Sequence, residues 1–184
     1  GRMVESMLPT AERVRPNAPI IAYNGGAVYD VTKRRVIHQS PIAAASAREL
    51  LRMAEELGVH AQAFLEGGYV YEQDNEHTRA YALNAGVAGR AVHRRLSEYV
   101  QADPFKLLLI GPVERIADVL PLLRARFEGR INCVNSKPIY IECIAPGMDK
   151  GVALLKLARE LGVEREQILA FGDGQNDLEM LNMA

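Results

Sequence analysis

The 184-residue chain has no tryptophan, two cysteines, four histidines, and aromatic residues at only 6% of its length. So few cysteines exclude a disulfide-built scaffold. Cys133 and Cys143 also lack the CxxC spacing of a zinc knuckle and lie in strand-like segments, which favours a reducing cytosol. No large excess of one charge exists either. With 22 basic against 23 acidic side chains the net charge is −1, so no broad positive field favours nucleic acid or an anionic membrane. Long apolar runs are missing as well. Stretches such as Leu107–Ile110 fall far short of the roughly 20 residues that span a bilayer. The histidines, His38, His60, His77 and His93, show no metal-ligand spacing and no evident carboxylate partner, and are expected at the surface or at edges. GxSxG, Walker and zinc patterns are absent, as are fixed-period repeats and low-complexity stretches.

What remains is the composition of an ordinary globular protein, 48% hydrophobic and 24% charged, long enough for one large domain or two small ones. Residues 1–15 read as a helix interrupted or kinked by Pro9. A short strand, Ile20 to Tyr23, runs into the turn signal Asn24-Gly25-Gly26, and Ala27 to Val31 with Arg35 to His38 form a hairpin. A helix begins near Pro41, with Leu50, Met53, Ala54 and Leu57 at helical spacing and Gly58 to stop it. Ala61 to Leu65 and Tyr69 to Tyr71 flank Gly67-Gly68 as a second hairpin, with Tyr69 and Tyr71 on one face for packing. A helical region follows.

Phe105 to Ile110 is a continuous strand candidate. Ile116, Leu120, Leu123 and Phe127 then mark a helix despite Pro121, and Ile131 to Val134 and Ile139 to Ile144 pair across a turn at Asn135 to Pro138. Asp149 can cap a helix from Lys150 to Leu161, ended by Gly162. Ile168 to Phe171 is expected as a short buried strand, followed by a loop and a helix from Asp177. The fold class is α/β.

Three places could carry chemistry. Gly172-Asp173-Gly174-Gln175-Asn176-Asp177 follows the last expected strand, where open parallel sheets bind ligands. Asp173 and Asp177 could face one pocket, and bare carboxylates would repel a phosphate unless a cation such as magnesium intervened. The plainer reading makes Asp173 a turn residue and Asn176 a helix cap. Lys150, at a helix amino terminus, could hold an anion or be a solvated surface lysine. The Asn24 turn could offer backbone amides or its own amide to a phosphate, or be only a hairpin turn.

Taken together, Gly1-Arg2, Asn24-Gly25-Gly26-Ala27, Asp149-Lys150-Gly151 and Gly172 to Asp177 resemble, in order and spacing, the motifs of the haloacid dehalogenase superfamily, and most its Cof-type phosphatases. The likeness covers nearly the whole chain. It implies a Rossmann-like core with a parallel sheet, here partial, built from residues 1–38 and 144–184, and an inserted α/β cap, residues 39–143, that selects substrate. It implies magnesium at Asp173, with Asp177 supporting the metal site or Lys150. Lys150 and Asn176 would engage the phosphoryl group, with Arg2, Asn24 and Gly25 nearby.

The implied reaction is hydrolysis of a small phosphorylated metabolite through an aspartyl-phosphate. The nucleophile of that family belongs to a DxDGT motif on the first core strand, and no DxD occurs in these residues. The chain opens at Gly1-Arg2 without a methionine, so a fragment, inactive alone, is expected. Three alternatives stand beside this reading. A phosphomutase of the same superfamily would return the phosphoryl group to its substrate. A P-type pump domain would need membrane spans and a DKTG segment, which the chain lacks. A non-catalytic protein could also use the fold.

Overall fold

The computed structural model describes residues 1–184 and holds two sheets. The smaller follows helix α1 (Val4–Val14) and comprises β1 (Ile20–Ala22), β2 (Ala27–Asp30) and β3 (Arg35–Gln39), antiparallel in sequence order. The larger draws on β4 (His60–Leu65), β5 (Gly68–Tyr71), β6 (Arg90–Ala91), β7 (Lys106–Ile110), β8 (Asn132–Lys137) and β9 (Tyr140–Ile144), in the order β6-β5-β4-β7-β9-β8. Helices α2 (Ala44–Glu56), α3 (Glu76–Ala85), α4 (Leu96–Tyr99), α5 (Val113–Arg126), α6 (Lys150–Glu160) and α7 (Leu178–Met183) complete the α/β fold. No helix is long and apolar enough to cross a membrane.

The period-2 alternation of β7 explains the layering. Leu107 and Leu109 point into a core shared with Leu50, Leu51, Ile116 and Leu123 of α2 and α5. Leu108 and Ile110 point the other way, into a cluster with Met3, Tyr23, Phe64, Tyr69, Tyr81 and Tyr140. Burying such leucines contributes roughly 1.5–3 kcal/mol each. The aromatic side joins the larger sheet to α1, α3 and the smaller sheet. Tyr23 stacks on Phe105 with centroids 5.0 Å apart, and Phe64 on Tyr69 at 5.2 Å.

Several expectations change. Residues 168–171 form no strand, and Leu169 and Phe171 are 80% and 81% exposed. They pair with neither sheet, so their β-rich composition joins no ladder. Parallel pairing occurs only between β5 and β6, in the larger sheet; every other pair is antiparallel. Pro9 and Pro121 lie inside α1 and α5, which run on through them. His38 does have a carboxylate partner, Glu160 Oε2 at 2.6 Å, which ties β3 to α6. Cys133 and Cys143 face each other across β8 and β9 as free, buried thiols.

Candidate active site

Helix α6 starts where the sequence places it: the Asp149 carboxylate accepts the Val152 amide at 2.8 Å and caps the first turn. That cap sets Lys150 as the first helical residue, directed toward the loop before α7. Lys150 Nζ donates to Asp177 Oδ1 at 2.5 Å. The other oxygen of that carboxylate accepts the backbone amides of Asp173 and Gly174, at 3.3 and 3.0 Å. Burial alone would raise the Asp177 carboxyl, but the hydrogen bonds from Lys150 and Gly174 outweigh it and hold the group below the usual range. Gly151 makes the approach of α7 possible, because a Cβ there would lie 2.8 Å from the Glu179 carbonyl oxygen.

The second part of the site is the turn after β1. Tyr23, Asn24 and Gly25 all have positive φ, at 53°, 57° and 99°. Three successive left-handed residues are costly and persist only where surrounding contacts fix them. Gly25 packs so tightly on α6 that an added Cβ would stand 2.3 Å from the Asp149 carbonyl oxygen. Asn24 is buried, and its amide is bound at both ends. Nδ2 donates to Glu142 Oε2 at 2.8 Å, and Oδ1 accepts from Asn176 Nδ2 at 3.0 Å.

One cavity of about 480 Å³ is lined by Arg2, Asn24, Lys150, Asp173, Asn176 and Asp177, six of the seven residues marked by the sequence. Gly25 does not line it and serves the turn from behind. The Asp173 side chain is exposed and makes no hydrogen bond, leaving its carboxylate available. Hard divalent cations take such oxygen donors along with phosphate oxygens and water. Asp173 fits that role, whereas both oxygens of Asp177 are already engaged. No group of three or more His, Cys, Asp or Glu side chains is arranged as a metal cage.

The larger sheet and α3 supply residues that sequence reasoning passed over. Ser136, Lys137, Tyr140 and Glu142 of the sheet and Tyr81 of α3 also line the cavity. Glu142 pairs with Lys106, 3.1 Å away, and both are almost wholly buried. Lys106 interrupts the strand read as continuously apolar, and Glu142 stands between two buried apolar residues. Charges at such positions were the available signal. Burial pushes the Glu142 carboxyl up, but the Lys106 ammonium beside it pulls it below the usual carboxylate range.

Residues 1–184 match the haloacid dehalogenase-like hydrolases. The chain belongs to that family. It is 29% identical over 186 residues to the HMP-PP phosphatase of Serratia proteamaculans, covering 98% of this chain and 65% of that enzyme. Over a shorter stretch of 104 residues it is 51% identical to the phosphoglycolate phosphatase of Methanoculleus marisnigri, covering 55% of this chain and 42% of that one. The crystal structure of TM0651 from Thermotoga maritima superposes with a TM-score of 0.83 at 34% identity, covering all of this chain and 68% of that one. The chain thus spans about two thirds of the Serratia and Thermotoga proteins.

Proposed function

We propose that the protein containing this chain is a divalent-cation-dependent phosphohydrolase acting on a small phosphorylated metabolite. The observation that carries this reading is the Asn24–Asn176 hydrogen bond, made across 152 positions of sequence. It brings the amide turn into the same cavity as the Lys150 ammonium and the free Asp173 carboxylate. An ammonium and amide donors suit a phosphoryl group, and a cation on Asp173 would let that dianion approach a carboxylate. Magnesium is the ion that this hard oxygen donor fits, and when bound it neutralises charge on the phosphoryl oxygens.

In this reading Lys150 and Asn176 bind and orient the phosphoryl group, while Asp177 orients Lys150 and the Asp173–Gly174 backbone. The reaction runs through an aspartyl-phosphate. Asp177 does not fit as the attacking carboxylate, because Lys150 and two backbone amides hold it. Residues 39–143 act as the substrate-selecting cap over a core of residues 1–38 and 144–184. The cavity walls support that division, since Ser136, Lys137 and Tyr140 face the phosphoryl-binding groups from the larger sheet. Arg2 and Lys137 line the cavity without an ion-pair partner; the Arg2 side chain bonds only Ser6, and Lys137 sits over the Tyr140 ring. They suit an anionic group on the leaving portion of the substrate.

The test is a panel of sugar, nucleotide and cofactor phosphates, assayed with and without magnesium in the full protein that carries these residues. Release of inorganic phosphate that stops on chelation supports the proposal. An isomeric sugar phosphate with no free phosphate would replace it with a mutase.

A further inference from the structure

The buried pair of Lys106 and Glu142 has a place in the site that stability alone does not explain. Two charges taken out of water are often no more stabilising than a well-packed apolar pair. These two lie on the cavity side of the larger sheet, and each reaches across to the amino-terminal segment. Lys106 Nζ donates to the Gly1 carbonyl oxygen at 3.0 Å, and Glu142 Oε2 accepts both Lys106 Nζ and Asn24 Nδ2.

The consequence lies in the orientation of one amide. With Nδ2 of Asn24 donating to a carboxylate, its Oδ1 must point the other way, and there it accepts Asn176 Nδ2. A reversed Asn24 amide would set oxygen against carboxylate and nitrogen against nitrogen, losing both bonds. Glu142 therefore fixes which end of Asn24 faces the loop before α7, and through it the rotamer of Asn176.

We propose that Glu142, with Lys106 as its counter-ion, is a positioning residue. It aligns Asn24 and Asn176 for the phosphoryl group without touching that group itself. The catalytic consequence rests on the phosphohydrolase reading, whereas the orientation of the amides does not.

Two double variants separate positioning from folding. Glu142→Gln with Lys106→Met removes both charges but keeps an oxygen to accept Asn24 Nδ2. Glu142→Met with Lys106→Met removes the charges and the acceptor. Both avoid an unpaired buried charge, so both are expected to melt near the wild-type temperature. With p-nitrophenyl phosphate and magnesium, the Gln variant should keep kcat within about threefold. The Met variant should lose about tenfold or more in kcat with little change in KM.

Side-chain amide NMR supplies a readout independent of turnover. Asn24 and Asn176 amide protons should exchange slowly in the wild type and the Gln variant, and faster by about tenfold in the Met variant. Equal kcat and equal exchange in the two double variants would overturn the proposal. If the full wild-type protein releases no phosphate, the phosphohydrolase reading fails, and the exchange contrast still decides the positioning role. Should the Met variant fail to fold, the Glu142→Gln, Lys106→Met variant alone serves. It must leave Asn24 exchange slow, and fast exchange would overturn the proposal.

Discussion

The Lys150 ammonium and the Asp177 carboxylate meet at 2.5 Å, while the second oxygen of Asp177 gathers the amides of Asp173 and Gly174. One carboxylate thereby joins the first turn of α6 to the loop before α7. This division of labour separates two acidic residues that look alike in sequence. Asp177 is held and orients its neighbours, whereas Asp173 is left open to the cavity.

Replacing Lys150 with Met should lower kcat/KM by about 10²-fold to 10³-fold, the usual effect of removing one charged stabiliser from a developing anion. The same variant should lose only about 1 kcal/mol or less of stability, because the pair is partly solvated. Steady-state kinetics beside a urea titration checks both. A large stability loss with unchanged kinetics would make the lysine purely structural.

Asp173→Asn should abolish divalent-dependent hydrolysis and leave the melting curve within about 0.5 kcal/mol of the wild type, since the side chain is exposed and unbonded. Titrating magnesium into both proteins while following phosphate release is the measurement. Near-normal turnover in the variant would refute the assignment of the cation to Asp173.

The two clusters that build the cavity were legible in sequence because each is local: a cap and a lysine at one helix start, a glycine-flanked acidic loop before another. Their meeting was legible only through the resemblance, since no periodicity links Asn24 to Asn176. The Glu142–Lys106 pair was harder still. Each charge lies in a short strand whose other members are mostly apolar, and the pairing register that brings them together is a tertiary property. Residues 168–171 show the converse. Their apolar, strand-like composition describes what the segment could do, yet a strand also needs a neighbour, and none pairs with it here.

Gly25→Ala tests the turn. Gly25 has φ at 99°, and its added methyl would collide with the Asp149 carbonyl oxygen. A loss of about 2 kcal/mol or more is expected from the two effects together. Chemical denaturation measures it, and a neutral outcome would mean that the turn relaxes freely.

Lys137→Ala should act on substrate choice. For substrates with an anionic group beyond the scissile phosphate, KM should rise about fivefold to tenfold, a loss of about 1 kcal/mol. For monoesters with a neutral leaving portion KM should stay unchanged. A uniform rise across both classes would place Lys137 on the phosphoryl group itself.

The pH dependence of stability should carry the signature of Glu142. Its ordinary value is 4.5, and in the folded protein the buried Lys106 ammonium holds it below that. A carboxyl depressed on folding stabilises fully above its unfolded value, and that contribution disappears as pH falls through the folded one. Wild-type stability should therefore decline as pH falls below about 4.5. The Glu142→Gln, Lys106→Met double variant lacks this titration, so its decline over the same interval should be shallower. Asp177 is also depressed and remains in both proteins, so the difference between the two curves isolates the buried pair. Urea midpoints measured at half-unit steps decide it: parallel curves would mean that Glu142 is not charged in its buried position.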